Sequence, residues 1–265
     1  MLTQIYRIFV SNSSLAKRII WKNWYQLISR NNREPELIFM NYGFSNGLNI
    51  SLQNEDEINR LFIQLYNKVL SSISVEGKKI LEVGSGRGGG ASFVARYLKP
   101  KQLIGIDISP NAIQLCNKIF SSPNLSFKVG DSENIPFSEN EFEVVYNVES
   151  SHCYGSRKKF TNEVYRVLKS TGYFCWADLC TIEEWNEVVK ITNESGFKII
   201  HSENITGNVI KALDDISVKK EEVINKRVPK IIRKTFKDFA GVKGTRVYNS
   251  FKSGTLQYFH IIAQK

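Results

Sequence analysis

The sequence predicts a doubly wound α/β fold with a seven-stranded sheet. Three observations carry that expectation. Apolar runs of strand length alternate with segments of helical periodicity from residue 80 onward. A glycine-rich turn, Gly84 to Gly90, follows the first of those runs directly. Polar side chains then recur at the ends of successive strands, the edge where open α/β sheets collect ligands.

Each element follows from local pattern. Residues 20–28 place Ile20, Trp21, Trp24, Leu27 and Ile28 on one helical face, with Arg18, Lys22 and Arg30 outside it, as in a basic amphipathic helix. "NNREPE" ends that helix, and "NYGFSNG" (41–47) reads as a loop. Residues 55–73 set Ile58, Leu61, Phe62, Leu65, Val69 and Ile73 at helical spacing, so residues 1–75 form a helical cap. The strand "ILEV" and the glycine loop open the core. A helix over 91–98 leads to the strand "QLIGIDIS". Pro110 suits the first turn of a helix running to Phe120. "LSFKVGD" and "FEVVYNVES" are the third and fourth strands. "SRKKFTNEVYRVLK" is a helix, and "STG" turns into the fifth strand, "GYFCWADL". A helix over 182–195 precedes the sixth strand, "FKIIHSENI". Residues 207–253 read mostly helical, broken by Pro229 and glycines, as a lid inserted before the closing strand "LQYFHIIAQK". The core is therefore 76–206 plus 254–265.

Composition narrows the class. Among 265 residues, 42% are hydrophobic and 12% aromatic, enough for a packed core and against wholesale disorder. No apolar run approaches the ~18 residues of a spanning helix. The first residues lack a cleavable signal pattern, because Arg7, Lys17 and Arg18 interrupt them. Cys116, Cys153, Cys175 and Cys180 form no CxxC pair, as expected of reduced thiols in the cytoplasm. Three histidines without ligand spacing predict no metal site. The net charge of +10 is uneven: residues 1–33 carry six basic residues and no acid, and 207–253 carry twelve basic and five acidic. The rest is slightly acidic, so the positive field lies on accessory elements, away from the glycine loop.

Glycines between strand and helix let the backbone approach a ligand and leave helix N–H groups pointing at it. The loop is no phosphate loop, since GxxxxGK[ST] is absent. Gly84-Ser85-Gly86-Arg87-Gly88 fits a dinucleotide, another adenosine cofactor, or a plain turn. Glu82 tilts the choice, because a carboxylate there would repel a pyrophosphate and attract a sulfonium or amino group. Asp107 lies about 20 residues on, where an acid accepts from ribose hydroxyls. Asp131-Ser132 could take an adenine amino group. Asn147 to His152 end the fourth strand and Asp178 the fifth. Singly, each reads as a helix cap or a surface group; together they fall on one sheet edge.

In these motifs the sequence resembles the class I S-adenosyl-L-methionine-dependent methyltransferases, which are Rossmann-like. "LEVGSGRGGG", "GIDIS", "GDSENIPF", "EVVYNVES" and "VYRVLKSTGYF" match their motifs in order over residues 80–180. The resemblance implies S-adenosyl-L-methionine as cofactor, with Glu82, Gly84, Ser85 and Gly86 at its methionine end. It implies Asp107 on the ribose with Ile108 beside it, Asp131 and Ser132 at adenine, Asn147 toward the sulfonium, and Tyr42 of "NYGF" as a further contact. Within the class the chain is similar to small-molecule O-methyltransferases of the phthiotriolone type and, more distantly, to sugar, sterol and tocopherol enzymes. That similarity implies His152 as the base that deprotonates a hydroxyl and Asp178 as the group that orients it. The expected partner is a small, apolar acceptor, with Glu149 and Tyr154 facing it. These two also keep a carbon acceptor open. Nucleic acid is not an expected partner: the fourth strand reads "NVES" where base-amino enzymes carry (N/D)PP(Y/F), and Cys153 lacks a Pro-Cys context. A scaffold that has lost its cofactor is disfavoured by the intact glycines, Asp107 and Asp131. The basic ends suggest peripheral contact with an anionic membrane. The oligomeric state stays open.

Overall fold

The computed structural model describes residues 38–47 and 50–265. The predicted basic helix over 20–28, and with it most of the 1–75 cap, lies outside the described residues. The chain from 38 to 47 runs as a loop without helix or strand. The helical reading of 55–73 divides into a 3-10 turn over Asn54–Asn59 and helix α1, Arg60–Leu70. Ile63, Leu65, Tyr66, Val69 and Leu70 are the buried side of α1, whereas Ile58 is exposed.

Strands and helices then alternate as the pattern predicts: β1 Lys79–Val83, α2 Gly89–Tyr97, β2 Gln102–Asp107, α3 Pro110–Ile119, β3 Leu125–Val129 and β4 Phe142–Val148. After them come α4 Arg157–Val167, β5 Leu168–Cys180, α5 Ile182–Glu194 and β6 Lys198–Asn204. Side chains supply the helix starts. Ser109 accepts from the Ala112 N–H ahead of Pro110, and Ser156 accepts from Lys159. Thr181 and Glu184 form a reciprocal capping box on α5. The insertion between β6 and β7 is helical as predicted: α6 Thr206–Arg227, a 3-10 turn Lys230–Ile232, α7 Arg233–Phe239 and α8 Arg246–Lys252. β7, Gln257–Gln264, closes the sheet.

One boundary differs. "STG" is not a turn before β5 but lies within it, because β5 starts at Leu168 and pairs with β4 across a register shift between Phe142 and Val144. Thr171 takes a φ of 66° there, so the extra residues bulge out and pairing resumes at Val144↔Tyr173.

The sheet order is β3-β2-β1-β4-β5-β7-β6. β7 is antiparallel to both its neighbours and the other pairs are parallel. Burial tracks this order: central β1 and β4 are buried almost throughout, while edge strands β3 and β6 show mostly exposed residues. Two apolar clusters cover the two faces. One joins α1, α2 and α6 to the sheet, and the other centres on Phe142, Phe160, Phe174 and Trp176 under α4 and α5. The four cysteines are all buried, and no disulfide joins them.

The strand order reverses between β1 and β4, where their C-terminal ends diverge and leave a crevice. Gly90, in the first turn of α2, lies against the ring of Tyr66, and a Cβ there would stand 2.0 Å from Tyr66 Cζ. Gly90→Ala should therefore force Tyr66 aside, at about 1–3 kcal/mol for overpacking, of which better helix propensity offsets about 1. The net cost of up to about 2 kcal/mol corresponds to a melting temperature lower by up to roughly 8 °C in a thermal scan. A raised value would contradict this packing.

Candidate active site

A crevice open to solvent lies between β1 and β4, with about 900 Å3 of empty space when the adjoining solvent is counted. The loop after β1 supplies Gly84, Ser85, Gly86 and Arg87; β2 supplies Asp107 and Ile108; the segment after β3 supplies Asp131 and Ser132; and the segment after β4 supplies Glu149, Ser150, Cys153 and Tyr154. Nine of the residues expected from sequence thus share one cavity: Gly84, Ser85, Gly86, Asp107, Ile108, Asp131, Ser132, Glu149 and Tyr154. Gly84 adopts φ 80°, and a side chain there would collide with Ser150 Oγ at 2.3 Å.

Asp107 braces the loop. Its Oδ2 accepts from the Gly86 N–H at 2.9 Å and its Oδ1 from Ser109 N–H at 2.8 Å. Burial raises its pKa to about 6, against the lowering effect of those two bonds. Glu82 does not line the cavity; it is fully buried beneath the loop. Burial pushes its carboxyl up to about 8, although Tyr66 and Tyr146 pull it down. Neither hydroxyl makes a hydrogen bond of good geometry with it, so both Glu82 oxygens, Ser85 Oγ and Asn147 Oδ1 lack partners among the described residues. Buried acceptors left in this state around a glycine loop fit a ligand bearing N–H or O–H donors and positive charge.

Asn147 is also buried below the cavity. Its Nδ2 lies 2.8 Å from Val83 O, 2.7 Å from Ser150 Oγ and 2.9 Å from Tyr154 Oη. It therefore positions two residues that do line the cavity. Glu149 takes φ 50°, an unfavourable conformation for a glutamate. Its Oε2 accepts from Tyr42 N–H at 2.8 Å and from Tyr258 Oη–H at 3.0 Å. Burial raises its pKa to about 8, and Asp178 adds to that, while Tyr42, His152 and Tyr258 oppose it. Tyr42 itself turns away from the cavity: its hydroxyl donates to Phe239 O at 3.0 Å and its ring packs edge-on against Phe251. Met40 and Asn41 of the same loop line the cavity instead. Arg87, Cys153 and Tyr66 line it too, and sequence reasoning missed them. Only proximity to the glycine loop and to the fourth strand end could have flagged the first two.

His152 and Asp178 meet behind this wall. His152 Nδ1 stands 2.8 Å from Asp178 Oδ1, and its backbone N–H donates to Asp178 Oδ2 at 2.9 Å. Ser151 Oγ and Leu179 N–H donate to the same carboxylate, and Trp176 Nε1 donates to Ser151 at 2.9 Å. The elements responsible are a 3-10 turn, Ser151–Cys153, and the end of β5. Burial alone would raise the pKa of Asp178, but the charge and hydrogen bond of His152 hold it below the usual range. The imidazole is 21% exposed. Burial works to lower its pKa, yet Cys153 and Asp178 raise it well above 6.5. Cys153 lines the cavity and is a polar neighbour of the imidazole.

Comparison with known proteins gives the family. Residues 74–241 match the family model described as a methyltransferase domain. The chain is 35% identical over 263 residues to the phthiotriol/phenolphthiotriol dimycocerosates methyltransferase of Mycobacterium leprae, covering 97% of this chain and 96% of that one. It is 30% identical over 258 residues to the fatty-acid O-methyltransferase of Mycolicibacterium smegmatis, covering 96% and 91%. In fold it is similar to a solved structure of a putative sarcosine dimethylglycine methyltransferase from Galdieria sulphuraria, with a TM-score of 0.69 and 15% identity over 85% of this chain and 93% of that one. The chain belongs to the methyltransferase domain family. It is a methyltransferase that uses S-adenosyl-L-methionine.

If Asp178 is what holds the His152 pKa up, Asp178→Asn should lower it. The imidazole titration followed by NMR should then shift to lower pH. A midpoint unchanged by the substitution would show that Asp178 does not govern this proton.

Proposed function

We propose that this enzyme methylates a hydroxyl oxygen of a small, lipid-like acceptor, with His152 as base and Asp178 as its orienting partner. The observation that carries the reading is the 2.8 Å contact between His152 Nδ1 and Asp178 Oδ1 beside the cavity wall. Similarity to a phthiotriol/phenolphthiotriol dimycocerosates methyltransferase and to a fatty-acid O-methyltransferase supports a lipid acceptor. S-adenosyl-L-methionine supplies an activated methyl group when bound. Asp107 would hold its ribose, the glycine loop its methionine end, and Asp131 with Ser132 its adenine side.

The chain's own part is alignment and proton removal. Asp178 engages Nδ1, which assigns proton exchange with the acceptor to Nε2. Asp178 then stabilises the imidazolium that results. Asn147 fixes Ser150 and Tyr154, and Tyr42 with Tyr258 fixes Glu149, so the acceptor meets a wall of restrained polar groups. The lid of the proposed domain division, 207–253, reaches this wall indirectly: α7 holds Tyr42 through Phe239 O. The lid also carries an exposed Ile231 between Lys230 and Arg233, with Lys234 nearby. This is an arrangement that would rest on an anionic membrane, at about 1 kcal/mol per basic residue. No helix among the described residues is long and apolar enough to cross one.

Four experiments test the reading. His152→Ala should lower turnover about 100-fold or more with binding of S-adenosylhomocysteine nearly unchanged. Asp107→Ala should do the reverse to binding, weakening it about 30- to 150-fold. Because the His152 pKa is raised and only neutral imidazole accepts a proton, kcat/KM of the wild type should climb with pH beyond neutrality and level off only above that pKa. Normal turnover by His152→Ala would favour a carbon or already anionic acceptor. For the membrane, sedimentation with phosphatidylserine vesicles should retain the protein at low salt and release it at high salt; no retention at low salt would remove the membrane from the proposal.

A further inference from the structure

Two of the chain's three histidines meet far from His152 in sequence, at the other end of the sheet order. His201 and Glu203 lie two apart on β6, and His260 lies opposite Glu203 on β7. His201 Nε2 is 2.9 Å and His260 Nδ1 is 3.1 Å from the same atom, Glu203 Oε1. The three donor atoms all lie within 4.8 Å of one another. Donors around a tetrahedral ion at about 2.0–2.2 Å stand roughly 3.3–3.6 Å apart, so small side-chain movements would suffice.

The second nitrogen of His260 is informative. Nε2 lies 3.2 Å from Val69 O, so its proton belongs there. A neutral imidazole has one proton, which leaves the Nδ1 lone pair facing the Glu203 carboxylate. Two lone pairs cannot face each other without a cation between or beside them. His260 is 1% exposed, an environment that disfavours an imidazolium. Lys68, at the C-terminal end of α1, supplies positive charge to Glu203 Oε1 from outside. An imidazole whose far N–H donates to a backbone carbonyl, while its near nitrogen converges with a carboxylate and a second imidazole, is how histidine ligands are held at metal centres. His201 is 44% exposed and leaves an entry path.

We propose that His201, Glu203 and His260 form a site for a divalent transition-metal ion, zinc or cobalt in class, clipping β6 to β7 beside α1. Two imidazoles and one carboxylate suit such an ion better than calcium or magnesium, which prefer oxygen. Lys68 would swing away from Glu203 as the ion enters. Methyl transfer needs no contribution from this ion. The site would act on stability, because its ligands join β6 to β7.

Calorimetry with zinc chloride and visible absorption with cobalt chloride, on the full chain without an affinity tag, test this. The expected result is one ion per chain, with visible cobalt bands of low-symmetry coordination. His201→Ala, an exposed position, should weaken binding at least about 10- to 100-fold and leave methyl transfer unchanged. Lys68→Met should tighten binding by removing the competing cation. His152→Ala serves as control and should bind as wild type does. Binding that survives His201→Ala, or that is lost in His152→Ala, would overturn the site. So would the absence of one-to-one binding, which would leave Lys68 as the cation beside Glu203.

Discussion

The parallel pairing of β1 with β4 is the constraint on which the rest depends. Leu81 aligns with Val145, and Glu82 with Tyr146. That register puts two loops from distant parts of the chain side by side. From it follow the crevice, the burial of Glu82 under the glycine loop, and the seating of Asn147 against Val83 O. β2 and β3 extend the sheet on one side and bring Asp107 and Asp131 to the same edge. β5 extends it on the other and brings Asp178 to His152. A slip of one residue in the central pair would turn Glu82 and Asn147 to the opposite face.

The electrostatics of the crevice are one-sided. Glu82, Asp107 and Glu149 all sit in or under it, and burial raises the pKa of each. Around neutral pH such groups carry less negative charge than free carboxyls would, and they gain from a nearby cation. Asp178 departs from this pattern, because four donors and a basic neighbour keep it ionised. Acids in neighbouring positions are thus divided between a weakly ionised set around the glycine loop and β4 and a firmly ionised Asp178 beside His152.

Loop 38–47 and the inserted helices act as one support. Gly43 packs against Ala212 of α6, and Phe44 N–H donates to Leu61 O of the segment holding α1. Lys220 donates to Ala240 O at 3.0 Å and lies over the rings of Tyr42 and Phe62. Burial lowers its pKa to about 8 despite the charge of Glu149. The strained Glu149 is therefore held from two directions, by Tyr42 on this support and by Tyr258 on β7. Tyr42 comes from a loop outside the core that packs on the inserted helices, so a change in the insertion can reach the cavity wall without touching it.

Sequence by itself determined the element order, because hydrophobic periodicity, capping residues and the glycine turn are local signals that adjacent residues settle. It determined the strand-end residues for the same reason: which side chain follows a strand does not depend on partners. The family resemblance also pointed to His152 and Asp178, which the structure brings into contact. Tertiary structure alone decided where those side chains point. Tyr42 is in the expected loop, yet its ring faces α7 and α8 while Met40 and Asn41 face the cavity. Glu82 and Asn147 lie beneath the wall rather than in it, since strand alternation and the pairing of β1 with β4 decide which face each takes. The bulge that keeps "STG" inside β5 depends on what β4 offers as a partner. The meeting of His201, Glu203 and His260 was invisible to spacing for the same reason: antiparallel register between β6 and β7, a non-local choice, is what brings residue 260 beside residue 203.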